Sequence, residues 1–280
     1  MIPKVFKNLK KAIVRKAESE EHRDYLFNKK LESFWVVFTQ LTILLVFIII
    51  WEWAANKGLT NTFLTSKPSK VWSTIVRLNT SGQLFHHIRI TVMETGVSFI
   101  LGTIIGTLIA IVLWWWKFLS RVLDPYLLVL NSLPKVALGP LFIIIFGLGF
   151  KSIIAMALAI TVITTTIVVY SGFRNVDNNY LKLVKTFGAS KSTSFIKVVL
   201  PASIPTIASA LRVNLGLSWV GVIVGEFLTG RAGLGYLAIY GGQTYQMDLV
   251  ITSVILLAIA SAVSYQILVL FENHIKQKYS

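Results

Sequence analysis

Any chemistry in this chain would rest on a short set of residues. Four charged side chains, Glu94, Lys135, Arg212 and Glu226, fall in or at the edge of long apolar segments, with Asn131 and Asn214 as neutral companions. A charge at a bilayer centre costs about 2.5–3.5 kcal/mol on insertion scales, so each of them needs a reason. Either it lines a path for a polar solute, where Lys135 and Arg212 would attract an anion, or it snorkels from a segment end or pairs inside a helix bundle. Lys135 and Arg212 fit snorkelling or pairing better. Asn131 and Asn214 fit a path, and they fit interhelical hydrogen bonding as well. Glu226, at the end of its segment, can hold the loop that follows, which leaves Asn131, Lys135, Asn214 and Glu226 as the path candidates. Nothing in the sequence explains Glu94.

Other chemistries lack their residues. There is no cysteine, hence no disulfide, thiolate metal site or cysteine nucleophile. The four histidines, His22, His86, His87 and His274, lie outside the strongly apolar blocks, and no Gly-x-Ser-x-Gly elbow occurs. The run Gly188-Ala189-Ser190-Lys191-Ser192 imitates a phosphate-binding loop, but Lys185 and Ser190 stand where that loop needs glycine. The reading is no catalytic residue, no metal, no cofactor and no ATP site of its own.

These residues must be positioned by membrane helices. The chain is 55% hydrophobic and only 14% charged, with mean hydropathy +0.70, against about 25% charged in soluble domains. Its net charge of +15 reads as basic residues flanking membrane spans, not as a nucleic-acid surface. About 20 helical residues cross a hydrocarbon core, and six stretches meet that length: 34–55, 90–116, 125–147, 152–173, 207–228 and 249–271. Tryptophans at 51, 53 and 114–116 close the first two at headgroup level. With both termini cytoplasmic, eighteen Lys or Arg fall inside and seven outside, the bias expected of a cell-membrane protein. The divisions are a charged amino-terminal segment 1–33, a membrane domain 34–272 with a cytoplasmic loop 174–206, and a tail 273–280. Residues 1–33 hold nine Lys or Arg, five Asp or Glu and no apolar core, which does not read as a cleaved signal. Within it Val5–Lys30 is an amphipathic surface helix or a solvated one. Outside, Ser66-Lys67-Pro68-Ser69 opens a short helix over 71–78.

The cytoplasmic loop carries the strongest local signals. Asp177 can cap a helix over 180–187, Gly188 can end it in the left-handed conformation, and Ser190 or Ser192 can cap a second short helix over 191–199. Pro201 then fits the first turn of the helix entering the fifth span. Two short helices joined at a sharp bend either connect two spans or seat in a groove of a motor protein.

The run from Gly188 through Val198 to Leu200-Pro201 resembles the EAA loop of binding-protein-dependent ABC importer permeases, in which Gly, nine residues, Ile, one residue and Leu-Pro follow a Glu-Ala-Ala triplet. Lys182-Leu183-Val184 stands in place of that triplet. Leu133-Pro134-Lys135 to Phe146-Gly147-Leu148-Gly149, and Gly225-Glu226-Phe227 to Gly233-Leu234-Gly235-Tyr236, are similar to the nitrate, sulfonate and taurine permease group. The resemblance covers roughly residues 35–272. It implies an all-α polytopic fold of about six transmembrane helices, the type I (MetI-like) ABC importer domain. It also implies a homodimer of permease copies, a cytoplasmic ABC ATPase dimer and an extracytoplasmic solute-binding protein, in a lipid membrane. Coupling to the ATPase would fall to Lys182, Gly188, Ala189, Ser190, Val198, Leu200 and Pro201. The solute would be a small organic anion, moved by alternating access. An ion-coupled secondary carrier is the alternative, set back by few intramembrane carboxylates and no evident repeat.

Overall fold

A computed structural model describes residues 20–61 and 65–279, and among them every regular element is a helix. The amino-terminal residues proposed as a surface helix lie partly outside these; from Glu20 onward they run unbroken into the first span. That helix, α1 (Glu20–Asn56), belongs to a unit of its own, Met1–Ser69. Its apolar stretch from Phe34 to Ile50 is exposed nearly all round, the pattern of a helix solvated by lipid rather than by a protein core. At its end Glu52 accepts the Ser69 N–H and hydroxyl, both at 3.0 Å, and Asn56 accepts the Lys67 amine at 2.9 Å.

The second unit, Lys70–Ser280, holds the bundle. Its elements are α2 (Pro68–Thr80), α3 (Gln83–Trp115), α4 (Lys117–Ser132), α5 (Gly139–Phe146), α6 (Phe150–Arg174), α7 (Asn178–Thr186), α8 (Lys191–Thr229), α9 (Leu234–Gln243) and α10 (Met247–Tyr279). The short helix expected over 71–78 is α2, a turn longer at its start.

Helix α6 is the centre, packed against both α3 and α8. The approach is close because glycines on the flanking helices face it. A Cβ on Gly102 would stand 2.3 Å from Thr161 Oγ1, and one on Gly106 would stand 2.7 Å from Thr165 Cβ. From the other side, Gly221 meets Ala157 and Gly225 meets Ile153 in the same way. Lipid tails are as apolar as leucine, so small-residue packing of this kind is what holds spans together. The spacing-four stripe of Gly102, Gly106 and Ala110 is therefore a helix–helix contact within the chain.

Among the described residues five helices are long and apolar enough to cross a membrane, and α4 with the Lys135–Phe146 segment, bent by 89°, is a sixth when the pair counts as one broken span. The span expected over 125–147 is this bent pair. Leu133 precedes a proline and is driven to extended backbone (φ −61°, ψ 138°). Pro134 has no N–H to continue the ladder, so a 3₁₀ turn at Lys135–Leu138 intervenes before α5 restarts with Pro140 in its first turn. α4 also begins earlier than expected, at Lys117, leaving Trp116 alone between the second and third spans.

Candidate functional site

The loop after α6 folds as a capped elbow. Asp177 accepts the Asn179 N–H at 2.8 Å and starts α7. At its other end Gly188 takes φ +78°, its N–H bonds the Lys185 carbonyl at 2.9 Å, and the Ala189 N–H bonds that of Val184 at 3.1 Å. That pair is the Schellman closure, which a left-handed residue makes possible. Ser190 then caps the next helix by accepting the Thr193 N–H at 3.1 Å. Two helix ends are thus satisfied within four residues, and the elbow has little freedom left.

Beyond it the structure departs from expectation. The second helix does not stop before Pro201: the helical run continues from Lys191 to Thr229 as α8, with a π turn at Phe195–Val199, Pro201 in the first turn after it, as expected, and Pro205 inside. Pro201 is tolerated because Phe195–Val199 forms a π turn in which the Leu200 N–H reaches back to the Phe195 carbonyl. This wider turn shifts the ladder where the proline cannot donate. The elbow is therefore the end of a helical run that continues through the fifth span, with Pro205 inside it.

The base of this run is anchored. Phe195 packs against Trp114 with centroids 4.8 Å apart and against Phe173 at 5.4 Å. Val198 and Leu200 border the same cluster, which includes Val169 and Val199. Lys191 lies over the Trp114 and Trp115 rings, 5.8 and 5.5 Å from their centroids, and its amine bonds the Trp115 carbonyl. A cation there suits the negative end of α3.

On the free side α7 turns apolar groups to solvent. Phe187 is 82% exposed, Tyr180 59% and Leu183 54%, and Lys182 and Ser190 are exposed beside them while Ala189 is half-buried. Tyr180, Leu183 and Phe187 sit at i, i+3 and i+7, one face of a helix. That periodicity is readable in the sequence, whereas the loop motif itself marks only the glycine and the proline. Lys191 gave no local signal, since its partner carbonyl is 76 positions away.

The four path candidates do not converge. Asn131 is exposed at the end of α4, and the Lys135 amine donates to its carbonyl at 2.8 Å, closing the helix at the bend. Asn214 is buried, donating to Thr103 Oγ1 at 2.6 Å and to the Phe99 carbonyl at 3.4 Å, a bridge from α8 to α3. Twelve positions on, about 18 Å along the helix, Glu226 is fully buried and accepts the N–H groups of Gly235 at 2.5 Å and Tyr236 at 3.2 Å. It does hold the loop after the fifth span. Arg212 pairs within the bundle, its Nε and Nη2 on Glu272 of α10 at 3.0 and 2.5 Å.

A family model of binding-protein-dependent transport system inner membrane components matches residues 102–280. A probable ABC transporter permease protein of Haemophilus influenzae is 32% identical over 226 residues, 80% of this chain and 91% of that one. A putative aliphatic sulfonates transport permease protein of Escherichia coli is 30% identical over 76% of this chain and 81% of its own. The structure of a bacterial ABC transporter involved in the import of the acidic polysaccharide alginate aligns with TM-score 0.60 at 17% identity, over 90% of this chain and 98% of that one. The inward-facing MetNI methionine ABC transporter aligns at 0.58 and 19% identity, over 71% and 96%. At those identities the two structures speak for the fold, an all-α MetI-like transmembrane domain. With most of its bundle inside the matched region, the chain belongs to the family of binding-protein-dependent transport system inner membrane components, and so is a multi-pass transport permease rather than an enzyme.

Proposed function

We propose that this permease couples a cytoplasmic ABC ATPase dimer to import of a small organic anion of the sulfonate, nitrate or taurine kind. The observation that carries the coupling is the elbow: a capped, apolar-faced α7 set on a helical run, α8, that continues through the fifth span. Tyr180, Leu183 and Phe187 seat in a groove of the ATPase, and Lys182 lies at the edge of that contact, where relatives of this loop type carry glutamate. When nucleotide draws the ATPases together, two permease copies move their elbows inward. Each displaced helix carries its span, because Gly188 and the two caps leave the bend nothing to absorb. Solute arrives on an extracytoplasmic binding protein, enters when the spans rock open, and leaves on the other side after hydrolysis.

The anion follows from the sulfonate permease relative of Escherichia coli. The test is reconstitution of the chain with its ATPase and binding protein in liposomes. ATP hydrolysis and uptake are measured with taurine, an alkanesulfonate, nitrate and a neutral amino acid. Stimulation by a sulfonate or nitrate and not by the amino acid is the expected result. Uptake by the chain alone, driven by an ion gradient, would overturn the reading.

A further inference from the structure

The end of the bundle away from the elbow carries charge that its packing does not use. Polar contacts bring the parts of this end together. Gly233 and Leu234, at the start of α9, donate to His87 Nδ1 and Thr91 Oγ1 of α3 at 3.0 and 2.7 Å. Ser152, near the start of α6, donates to Thr229 at the end of α8 at 3.1 Å, and Lys70 of α2 pairs with Asp248 of α10 at 3.9 Å. Arg77 of α2, Arg89 of α3, Lys151 of α6 and Arg231, just after α8, are exposed there, and none has an ion pair among the described residues. The acids these elements bring to this end leave no exposed carboxylate to balance them: Glu94 and Glu226 are buried and Asp248 is paired. The exposed surface is therefore net positive. With the elbow in the cytoplasm this end is the outer one, where the topology rule disfavours lysine and arginine, so membrane insertion does not account for these cations.

A second observation falls at the same end. α9 closes in a Schellman turn whose left-handed residue is Tyr245, at φ +57°. Its N–H reaches the Gly242 carbonyl at 3.3 Å, and the Gln246 N–H reaches that of Gly241 at 2.7 Å. Glycine suits this position, because in the left-handed region a Cβ crowds the following carbonyl. A tyrosine there works against folding. Its side chain is 70% exposed, so packing within the chain does not offset that cost. The pair made by Asp248, three residues on, puts this turn beside α2.

We propose that this end docks an acidic face of the extracytoplasmic solute-binding protein, with Tyr245 as the aromatic anchor and Arg77, Arg89, Lys151 and Arg231 as the cations that meet the acids. The inference rests on the import reading above, with the elbow inside. Tyrosine offers a large contact area with few torsions to freeze, and it is enriched where interfaces concentrate their binding energy. Attraction between a basic rim and an acidic face speeds encounter and fixes orientation. The cations alone would serve lipid phosphates equally well. A residue kept against its own backbone preference and left outside the fold is what a docking anchor requires.

The experiment assembles the transporter with its ATPase in lipid nanodiscs and titrates in the purified binding protein while ATP hydrolysis is followed. Tyr245→Gly removes the ring and relaxes the backbone, so its Tm should match or exceed that of the wild type. The binding-protein concentration for half-maximal stimulation should nonetheless rise about tenfold. Arg77→Glu with Arg231→Glu should raise that concentration by a similar factor at an unchanged maximal rate. Added salt should raise it for the wild type and much less for the double variant. A lowered Tm in Tyr245→Gly, or a half-maximal concentration unmoved in either variant, overturns the docking surface and leaves the import reading standing. A wild type that the binding protein does not stimulate ends the import reading, and this proposal with it. Shifts seen in discs containing anionic phosphatidylglycerol and absent from discs of phosphatidylcholine alone would assign the cations to lipid and overturn the proposal as well.

Discussion

Two glycines of the same helix show how differently one residue type is used. A Cβ on Gly96 meets nothing within 4 Å, while one on Gly102 collides with Thr161 at 2.3 and 2.9 Å. Gly96→Ala should therefore be neutral or gain up to about 1 kcal/mol from helix propensity. Gly102→Ala must push α3 off α6 and should lose about 1–3 kcal/mol by overpacking. Thermal unfolding in detergent, read by tryptophan fluorescence, separates the two; equal Tm values would mean that the α3–α6 contact is looser than drawn. Gly188 poses a backbone problem and not a packing one, since no atom lies near its Cβ but its φ is +78°. Gly188→Val should leave the chain inserted and folded yet abolish solute-stimulated ATP hydrolysis in the assembled transporter. Wild-type stimulation in that variant would remove the role given to the bend.

Between elements, the chain is tied at several points by polar contacts that sequence could only half announce. Arg212 and Glu226 both stood out as charges in apolar surroundings, and burial at such positions demands partners. Which partners remained hidden, because Glu272 lies 60 positions from Arg212 and the α9 amides become donors only once that helix has folded back. Local chemistry was legible by contrast: Asp177, Gly188 and Ser190 do what their side chains or φ preference require. The bend in the third span and the π turn ahead of Pro201 lie beyond local reading for one reason: Pro134 acts through the residue before it, and Pro201 follows a turn that is widened upstream of it. The Arg212–Glu272 tie is testable by thermal unfolding. Glu272 is 3% exposed and its partner 38%, so Arg212→Met strands a buried carboxylate and should lower the Tm. The double variant Arg212→Met with Glu272→Met should recover most of that loss. A double variant no better than the single one would show that the pair is dispensable to the α8–α10 contact.

For the whole molecule the open question is which way the bundle faces, and its own composition offers the means to answer. Helix order was readable from apolar length alone, and the basic residues set an expectation of side: the elbow region 174–197 carries five Lys or Arg, and positive charge is retained on the cytoplasmic face. The fold adds a mechanical constraint to that statistical one. α3 spans from the His87 clamp on α9 to the Lys191 contact at its other end, so the loop at Ser81 and the elbow at Thr186 must open on opposite sides. Having no cysteine, the chain accepts single reporters without background. Ser81→Cys should react with a membrane-impermeant maleimide in intact cells, or in spheroplasts if an outer membrane blocks the reagent. Thr186→Cys should react only after the cytoplasmic membrane is opened. Reversed labelling would place α7 outside, out of reach of ATP, and end the coupling role of the elbow. Labelling of both sites from one side would break the span count itself, because α3 could not then cross.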